Sequence, residues 1–341
     1  MSSARLHRIA IIGGGFAGLS VARRLRGAPA EITLIDKQNY HLFQPLLYQV
    51  ASGSLAPEHI TVPMRRALRG HTHARFVLGD VEDFDLSRRR IILRDGLVEF
   101  DSLVLAAGMS PSYFGNDAWR AHTIPLKSLP DAMDIRHAVL EALEHAERAH
   151  DPAQVRAYLT FVIVGGGPTG VELAGSLTEL LHDIGRDNFS QIDPASATIL
   201  LIEGGERVLA PFGEPLGVRA MADLRALRVQ VRVGSRVKEV GEGFVTVQMG
   251  GEQIVRVPTH TVLWAAGMQA PAVGRALARV TAAVQDPSGR IVVQPDLSVP
   301  NHRNIFVVGD LANCVQKGKA LPGIAPVAMQ QGDYVGQLLA A

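Results

Sequence analysis

The chain has a single cysteine, Cys314, among its 341 residues. An internal disulfide is therefore excluded, as is a dithiol redox pair, and a reducing compartment is expected. No run of 18 apolar residues occurs, so no bilayer span is expected. The N-terminus goes almost directly into a strand, without a signal-peptide pattern. Charge of one sign is also lacking. Lys and Arg number 34 against 33 Asp and Glu, for a formal net charge of +1. So even a balance gives no strong field for nucleic acid. The 12 histidines are scattered without metal-ligand spacing, and no metal is expected. What is present is 47% hydrophobic and 20% charged residues, the profile of a soluble globular protein with room for two cores.

One sequence of phrases occurs twice. The first copy is Ile11-Ile12-Gly13-Gly14-Gly15-Phe16-Ala17-Gly18, then Leu34-Ile35-Asp36, then Val104-Leu105-Ala106-Ala107-Gly108-Met109. The second is Ile163-Val164-Gly165-Gly166-Gly167-Pro168-Thr169-Gly170, then Leu201-Ile202-Glu203, then Leu263-Trp264-Ala265-Ala266-Gly267-Met268. A lone G-x-G-x-x-G is weak evidence. Here each copy follows a short apolar run, opens a helical pattern and precedes an acidic residue at the end of another apolar run. This predicts two Rossmann-like dinucleotide-binding units in an α/β chain.

The residue types suit that chemistry. The first glycine of each motif (Gly13, Gly165) allows the tight strand-to-helix turn. The second (Gly15, Gly167) lets backbone approach a pyrophosphate, and the third (Gly18, Gly170) lets helix and strand pack closely. The anion then meets free N–H groups at a helix N-terminus. Asp36 and Glu203 are each expected to accept hydrogen bonds from an adenosine ribose. Asp36 stands near the usual spacing. Glu203 stands further from its glycines, and the stretch from His182 to Ala197 reads as an insertion. Gly108 and Gly267 close the repeated Ala-Ala-Gly phrase, where small residues admit a cofactor.

Along the chain, Pro57 to Leu68 reads as a short helix and Leu129 to Ala149 as a charged amphipathic connector helix. The second unit runs from Thr160 to about Ala282. The apolar strand Asn304 to Val308 ends in Gly309-Asp310 and is expected to return to the first sheet. The second domain is then inserted into the first: residues 1–125 and 285–341 form one domain and 126–284 the other. The closing helical pattern, Pro326 to Leu339, stops without a glycine cap, as a trimmed tail would. Arg88-Arg89-Arg90 reads as a solvated hairpin edge, and Cys314 as a small core residue.

Three segments carry a family resemblance that covers essentially the whole chain: Asn39 to Ala51 (NYHLFQPLLYQVA), Gly165 to Ala174 (GGGPTGVELA) and Ala325 to Gly332 (APVAMQQG). With them the chain resembles the two-dinucleotide-binding-domain flavoproteins of the glutathione-reductase-like class, and within it the type II NADH:quinone oxidoreductases. The resemblance implies FAD in the first unit, NADH in the second, hydride transfer to the flavin and electron transfer to a membrane quinone. It carries cofactor roles to Lys37, Pro45, Val81, Ala107, Gly309, Asp310 and Ala328, with Asp310 on the ribityl chain. It carries catalytic roles to Glu172, near the nicotinamide–flavin contact, and to Gln330, on the quinone side. Glu172 also reads as a helix-dipole carboxylate, and Asp310 as a helix cap. Gln44 and Pro45 fall where dithiol relatives carry cysteines, which leaves the flavin open to a diffusible acceptor; a tight turn packing Phe43 and Tyr48 is the other reading.

Two departures stand out. Pro326 replaces a glutamine the family usually has, and the family's C-terminal membrane-associating domain is absent from this chain. Peripheral membrane contact is thus expected through a segment outside it, with a cytoplasmic location at the inner face of the membrane, and a homodimer is compatible. Two alternatives stay open. One is a soluble NAD(P)H:acceptor reductase of the diaphorase or ferredoxin-reductase type. The other is a non-catalytic nucleotide-binding redox sensor. A sulfide:quinone reductase is disfavoured by the lone cysteine. NADH is expected over NADPH because Glu203 meets a 2′-phosphate with like charge, with Arg207 softening the penalty.

Overall fold

The computed structural model describes residues 5–185 and 188–341. Its helices include α1 (Phe16–Arg24), α2 (Leu47–Ala51), α3 (Met64–Ala67), α4 (Leu129–Arg148), α5 (Pro152–Tyr158), α6 (Pro168–Ile184), α7 (Glu214–Ala226), α8 (Ala272–Thr281) and α9 (Ala325–Ala340). The chain divides into two compact units. The first comprises Met1–Leu42, Thr61–Ser110 and Met268–Ala341; the second comprises Phe43–Ile60 and Pro111–Gly267.

The first unit is built on a six-stranded sheet. Its order is Ser298–Val299, His302–Val307, Ser102–Leu105, His7–Ile12, Ala30–Asp36, Ala74–Leu78. All neighbours pair in parallel except the antiparallel edge strand Ser298–Val299. Inner strands of such a sheet are covered on both faces and read as continuous apolar runs. Ile9 and Ile11 accordingly join a core with α1, α3 and α9, through Leu19, Met64, Ala328 and Val335. Ala10 and Ile12 join the opposite core, with Leu105, Leu277 and Ile305. The strand His302–Val307 returns to this sheet, with Ile305 beside Leu103.

The second unit repeats the plan with a five-stranded sheet. Its order is Ile124–Pro125, Thr261–Trp264, Thr160–Val164, Thr198–Ile202, Gln230–Arg232, parallel throughout. An antiparallel three-stranded sheet, Arg236–Gly241, Phe244–Gln248 and Ile254–Pro258, packs Val245 and Val247 against Val162 and Trp264.

The structure differs from the sequence expectations at identifiable places. Pro57 to Leu68 is not one helix. A 3-10 turn (Pro57–His59) is followed by a short strand (Thr61–Pro63) paired with Tyr40–Leu42, and only Met64–Ala67 is α-helical. The β-branched Thr61 and Val62 and the missing N–H of Pro63 favour extended chain there. Residues 43–60 and 111–125 group with the second unit, and 268–284 with the first. Within that last stretch, α8 buries Leu277 and Ala278 in a core of the first unit.

The connector helix α4 forms as expected and opens with a capping box, in which Ser128 and Asp131 satisfy each other's backbone N–H groups. The insertion before Glu203 is held to the end of α4. The Glu147 carboxylate accepts the Ser190 N–H (2.8 Å), the Ser190 hydroxyl (2.6 Å), the Gln191 N–H (2.9 Å) and the Ile192 N–H (3.1 Å). Arg186 and Asp187, within that stretch, lie outside the described residues. Arg90 and Arg88 pair with Glu99 and Asp85, so the arginine run edges a hairpin. Cys314 is buried in the α1/α9 core, and burial pushes its thiol pKa up.

Candidate functional site: two glycine loops

In the first unit, the strand His7–Ile12 turns into α1 through Gly13, whose φ of +101° suits glycine alone. A Cβ at Gly13 would collide with the Ala106 carbonyl oxygen, and one at Gly18 with the Gly13 carbonyl oxygen. Gly15 differs. It caps α1 in an extended conformation any residue adopts, and a Cβ there meets nothing within 4 Å. Open space therefore lies in front of the α1 N-terminus, where backbone N–H groups and the helix dipole favour an anion.

The second unit repeats this. Gly165 has φ +112°, and a Cβ on it would lie 2.7 Å from the Ala265 carbonyl oxygen. A Cβ on Gly170 would strike the Gly165 carbonyl oxygen, while Gly167, the extended cap of α6, again faces open space. Open caps over tight turns fit the phosphates of a dinucleotide at both loops.

Both acidic residues hold the middle glycine of their own loop. Asp36 accepts the Gly14 N–H at 2.6 Å and the Gln38 N–H at 2.8 Å. Glu203 accepts the Gly166 N–H and the Gly205 N–H, each at 2.6 Å. A carboxylate has about four lone-pair sites, so each keeps acceptor capacity for a ribose hydroxyl. Burial pushes the Asp36 pKa up, and the Gly14 bond opposes this. The Gly14 carbonyl oxygen lies 2.9 Å from His41 Nδ1.

At the same carboxyl end of the first sheet, beside α1, Gly309 turns with φ +75°. Its N–H donates to Oε1 of Gln331 at 2.7 Å. Gln331 is 6% exposed, which singles it out as the glutamine of α9 that builds this turn. Gln330 lies on the outer side of α9, exposed in a groove of about 480 Å³ with Ser20, Arg23, Met329 and Tyr334. The expected acceptor-side amide thus stands apart from Gly309 and Asp310, and its neighbour was missed. Asp310 is half-buried beside Gly323 and has no hydrogen-bond partner among the described residues. Val308 holds the cap position of the 3-10 turn Gly309–Leu311 and Asp310 lies inside that turn, so the helix-cap reading is not seen. Ala328 is buried within reach of Gly309. Ala107 and Gly108 follow the strand Ser102–Leu105, and the space at Gly108 is open. Lys37 is exposed after Asp36, and Val81 begins the hairpin packed on the sheet.

Other sequence candidates fall in the second unit. Glu172 is five residues after the cap Gly167, beyond the first turn of α6, which contains no acidic residue. The helix-dipole reading therefore loses its basis. Glu172 is exposed in area, yet partial desolvation of its carboxyl raises its pKa above the usual range. Gln44 and Pro45 form a 3-10 turn (Gln44–Leu46), and Gln44 Nε2 donates to the Lys127 carbonyl at 3.1 Å. Gly267 does not mirror Gly108: a Cβ there would press on the Phe114 ring at 2.6 Å and the Ser112 carbonyl at 3.0 Å. Arg207 runs along Gly217 of α7, whereas Arg236 lies beside Gly204, next to Glu203. Arg236 thus places a cation beside that acidic turn. No group of His, Cys, Asp and Glu suited to a metal occurs among the described residues.

Comparison with known proteins agrees with this geometry. The pyridine nucleotide-disulphide oxidoreductase family matches residues 7–332. Type II NADH:quinone oxidoreductase Ndh of Mycobacterium tuberculosis is 39% identical over 99% of this chain and 73% of its own length. NdhA of the same organism, also a type II NADH:quinone oxidoreductase, is 38% identical over 96% of this chain and 70% of its own. The solved structure of NDH2 from Plasmodium falciparum in complex with NADH superposes with a TM-score of 0.90, covering 98% of this chain and 83% of that one, at 19% identity. The chain therefore belongs to the pyridine nucleotide-disulphide oxidoreductase family and, within it, to the type II NADH:quinone oxidoreductases.

Proposed function

We propose that this chain oxidises NADH and reduces a quinone by way of FAD, without pumping protons. The observation that carries the reading is the doubled site: two glycine loops, each with an open helix cap and a carboxylate fixed to its middle glycine. Two such sites serve two dinucleotides, and the relatives' names supply NADH and quinone.

FAD, when bound, supplies a group that accepts two electrons as hydride and releases them singly or together. The chain's own residues do the rest. In the first unit, Gly13, Gly15 and Gly18 shape the pyrophosphate site, and Asp36 receives the adenosine ribose. Asp310 receives the ribityl hydroxyls, with Gly309 fixed beneath it by Gln331. Lys37, Val81, Ala107, Gly108 and Ala328 complete the wall. In the second unit, Gly165, Gly167 and Gly170 take the pyrophosphate of NADH, and Glu203 takes its ribose. Glu172, with its raised pKa, holds a proton for the acceptor step.

No described helix is long and apolar enough to cross a membrane. Quinone access then calls for peripheral contact with the inner face of the membrane. The test is direct. Bound flavin should bleach on addition of NADH and recover on addition of a short-chain quinone. Bleaching without recovery by quinone, but with recovery by a soluble protein acceptor, favours the soluble reductase. No bleaching with flavin bound favours the sensor.

A further inference from the structure

The two loops fix the peptide after their middle glycine by different means. In the second, the Gly166 carbonyl accepts the backbone N–H of Leu209 at 2.8 Å. Leu209 reaches it from a left-handed conformation, φ 51°, that is uncommon for leucine. In the first loop the corresponding carbonyl, that of Gly14, meets an imidazole, with His41 Nδ1 2.9 Å away. A carbonyl oxygen only accepts, so Nδ1 is the protonated nitrogen of this contact. The ring is braced by Phe16, which meets it edge-on with centroids 5.2 Å apart. Burial, with the nearby Arg23 charge, keeps His41 below its ordinary pKa and so favours the neutral ring.

The Gly14 carbonyl and the Gly15 N–H belong to one planar trans peptide and point in opposite directions. Fixing the carbonyl on His41 therefore fixes the direction of the Gly15 N–H. Gly15 is the cap of α1, with open space around its Cβ position. The peptide on the other side of Gly14 is fixed as well, by Asp36 at 2.6 Å. We propose that His41 is a positioning residue for FAD, which through the Gly14 carbonyl aims the Gly15 N–H at the pyrophosphate. It performs for the first loop what the Leu209 backbone performs for the second. The proposal rests on the reading of the first unit as the FAD unit.

Two substitutions separate donor from ring. His41→Asn keeps an N–H donor near Nδ1 and removes the ring. His41→Phe keeps a ring against Phe16 and removes the donor. Affinity for FAD is read by titrating flavin-free protein and following the quenching of flavin fluorescence. NADH affinity, which reports the second loop, is measured on the same samples together with the melting temperature. His41→Phe should weaken FAD by about tenfold, the scale of one lost hydrogen bond. His41→Asn should stay within about threefold of the parent. NADH affinity should not change in either. A His41→Phe protein that binds FAD as tightly as the parent overturns the proposal. So does a His41→Asn protein, normal in NADH affinity, that binds FAD no better than His41→Phe. A parent protein that does not bind FAD at all overturns the functional reading itself.

Discussion

The Glu203 carboxylate grips the backbone of Gly166 at 2.6 Å, so the residue that would choose the nucleotide is built into the loop that would hold it. The second oxygen is committed to Gly205, and the negative charge cannot swing away from a 2′-phosphate. NADH should be preferred over NADPH. Glu203→Gln removes the charge and turns an amide donor toward a backbone donor. It should weaken NADH by about tenfold and narrow the NADH/NADPH ratio. Arg236→Ala, rather than Arg207→Ala, should widen that ratio, because Arg236 lies beside the turn after Glu203. Steady-state kcat/KM for both nucleotides decides the matter. Equal values in the parent enzyme would place Glu203 elsewhere than at the ribose.

Gly15→Val should separate folding from cofactor retention. The protein itself leaves room for a side chain there in an extended conformation. The flavin-free variant should still fold and melt within several degrees of the parent, since the position has room for a side chain and the poorer helix cap that valine makes costs about 1 kcal/mol. Retained FAD, counted by absorbance after gel filtration, should fall to near zero. Stoichiometric flavin in the variant would remove the pyrophosphate from this loop.

Two adjacent glutamines should behave differently. Gln331→Leu leaves the half-buried Gly309 N–H without its partner, a loss of about 1 kcal/mol. Its melting temperature and flavin retention should both drop. Gln330→Leu, on the outer side of α9, should leave both unchanged and also leave flavin reduction by NADH at the parent rate. The reverse ranking would contradict the placement of Gln331 under the Gly309 turn.

Glu172 gives a pH test. Its pKa is raised by burial, so it keeps its proton to higher pH than an ordinary carboxyl. A step that draws this proton should be fast at low pH and slow as pH rises through the raised pKa. Flavin reoxidation by quinone should show that limb in stopped-flow measurement, and Glu172→Gln should remove it. Identical pH profiles for the two proteins would make Glu172 a solvated surface carboxylate.

Both glycine loops were legible in the sequence because their requirement is local. A turn that buries its own carbonyl excludes a side chain at Gly18 and Gly170 whatever the rest of the chain does. The carboxylates that hold the loops, Asp36 and Glu203, were legible for the same reason, as the ends of runs that had to be strands. What stayed hidden depended on direction or partner. Gln330 and Gln331 differ by 100° around one helix, and only the packing of α9 on α1 decides which is buried. The amphipathic pattern of α8 shows that it has an apolar face, not which core receives it. Leu209 acts through its backbone, which leaves no trace in residue type. His41 carries no sign of its role until the Gly14 carbonyl is seen beside it.

The grip of Glu147 on residues 190–192 bears on how this scaffold can be altered. The next strand takes its register from Thr160–Val164, beginning with the Thr198 N–H on the Leu159 carbonyl at 2.8 Å. The extra length before it is anchored instead to the end of α4, away from the loop that Glu203 serves. The length of this segment is therefore uncoupled from nucleotide geometry. It is a natural splice point, where residues can be removed or a reporter grafted while the distance from Gly166 to Glu203 stays as it is.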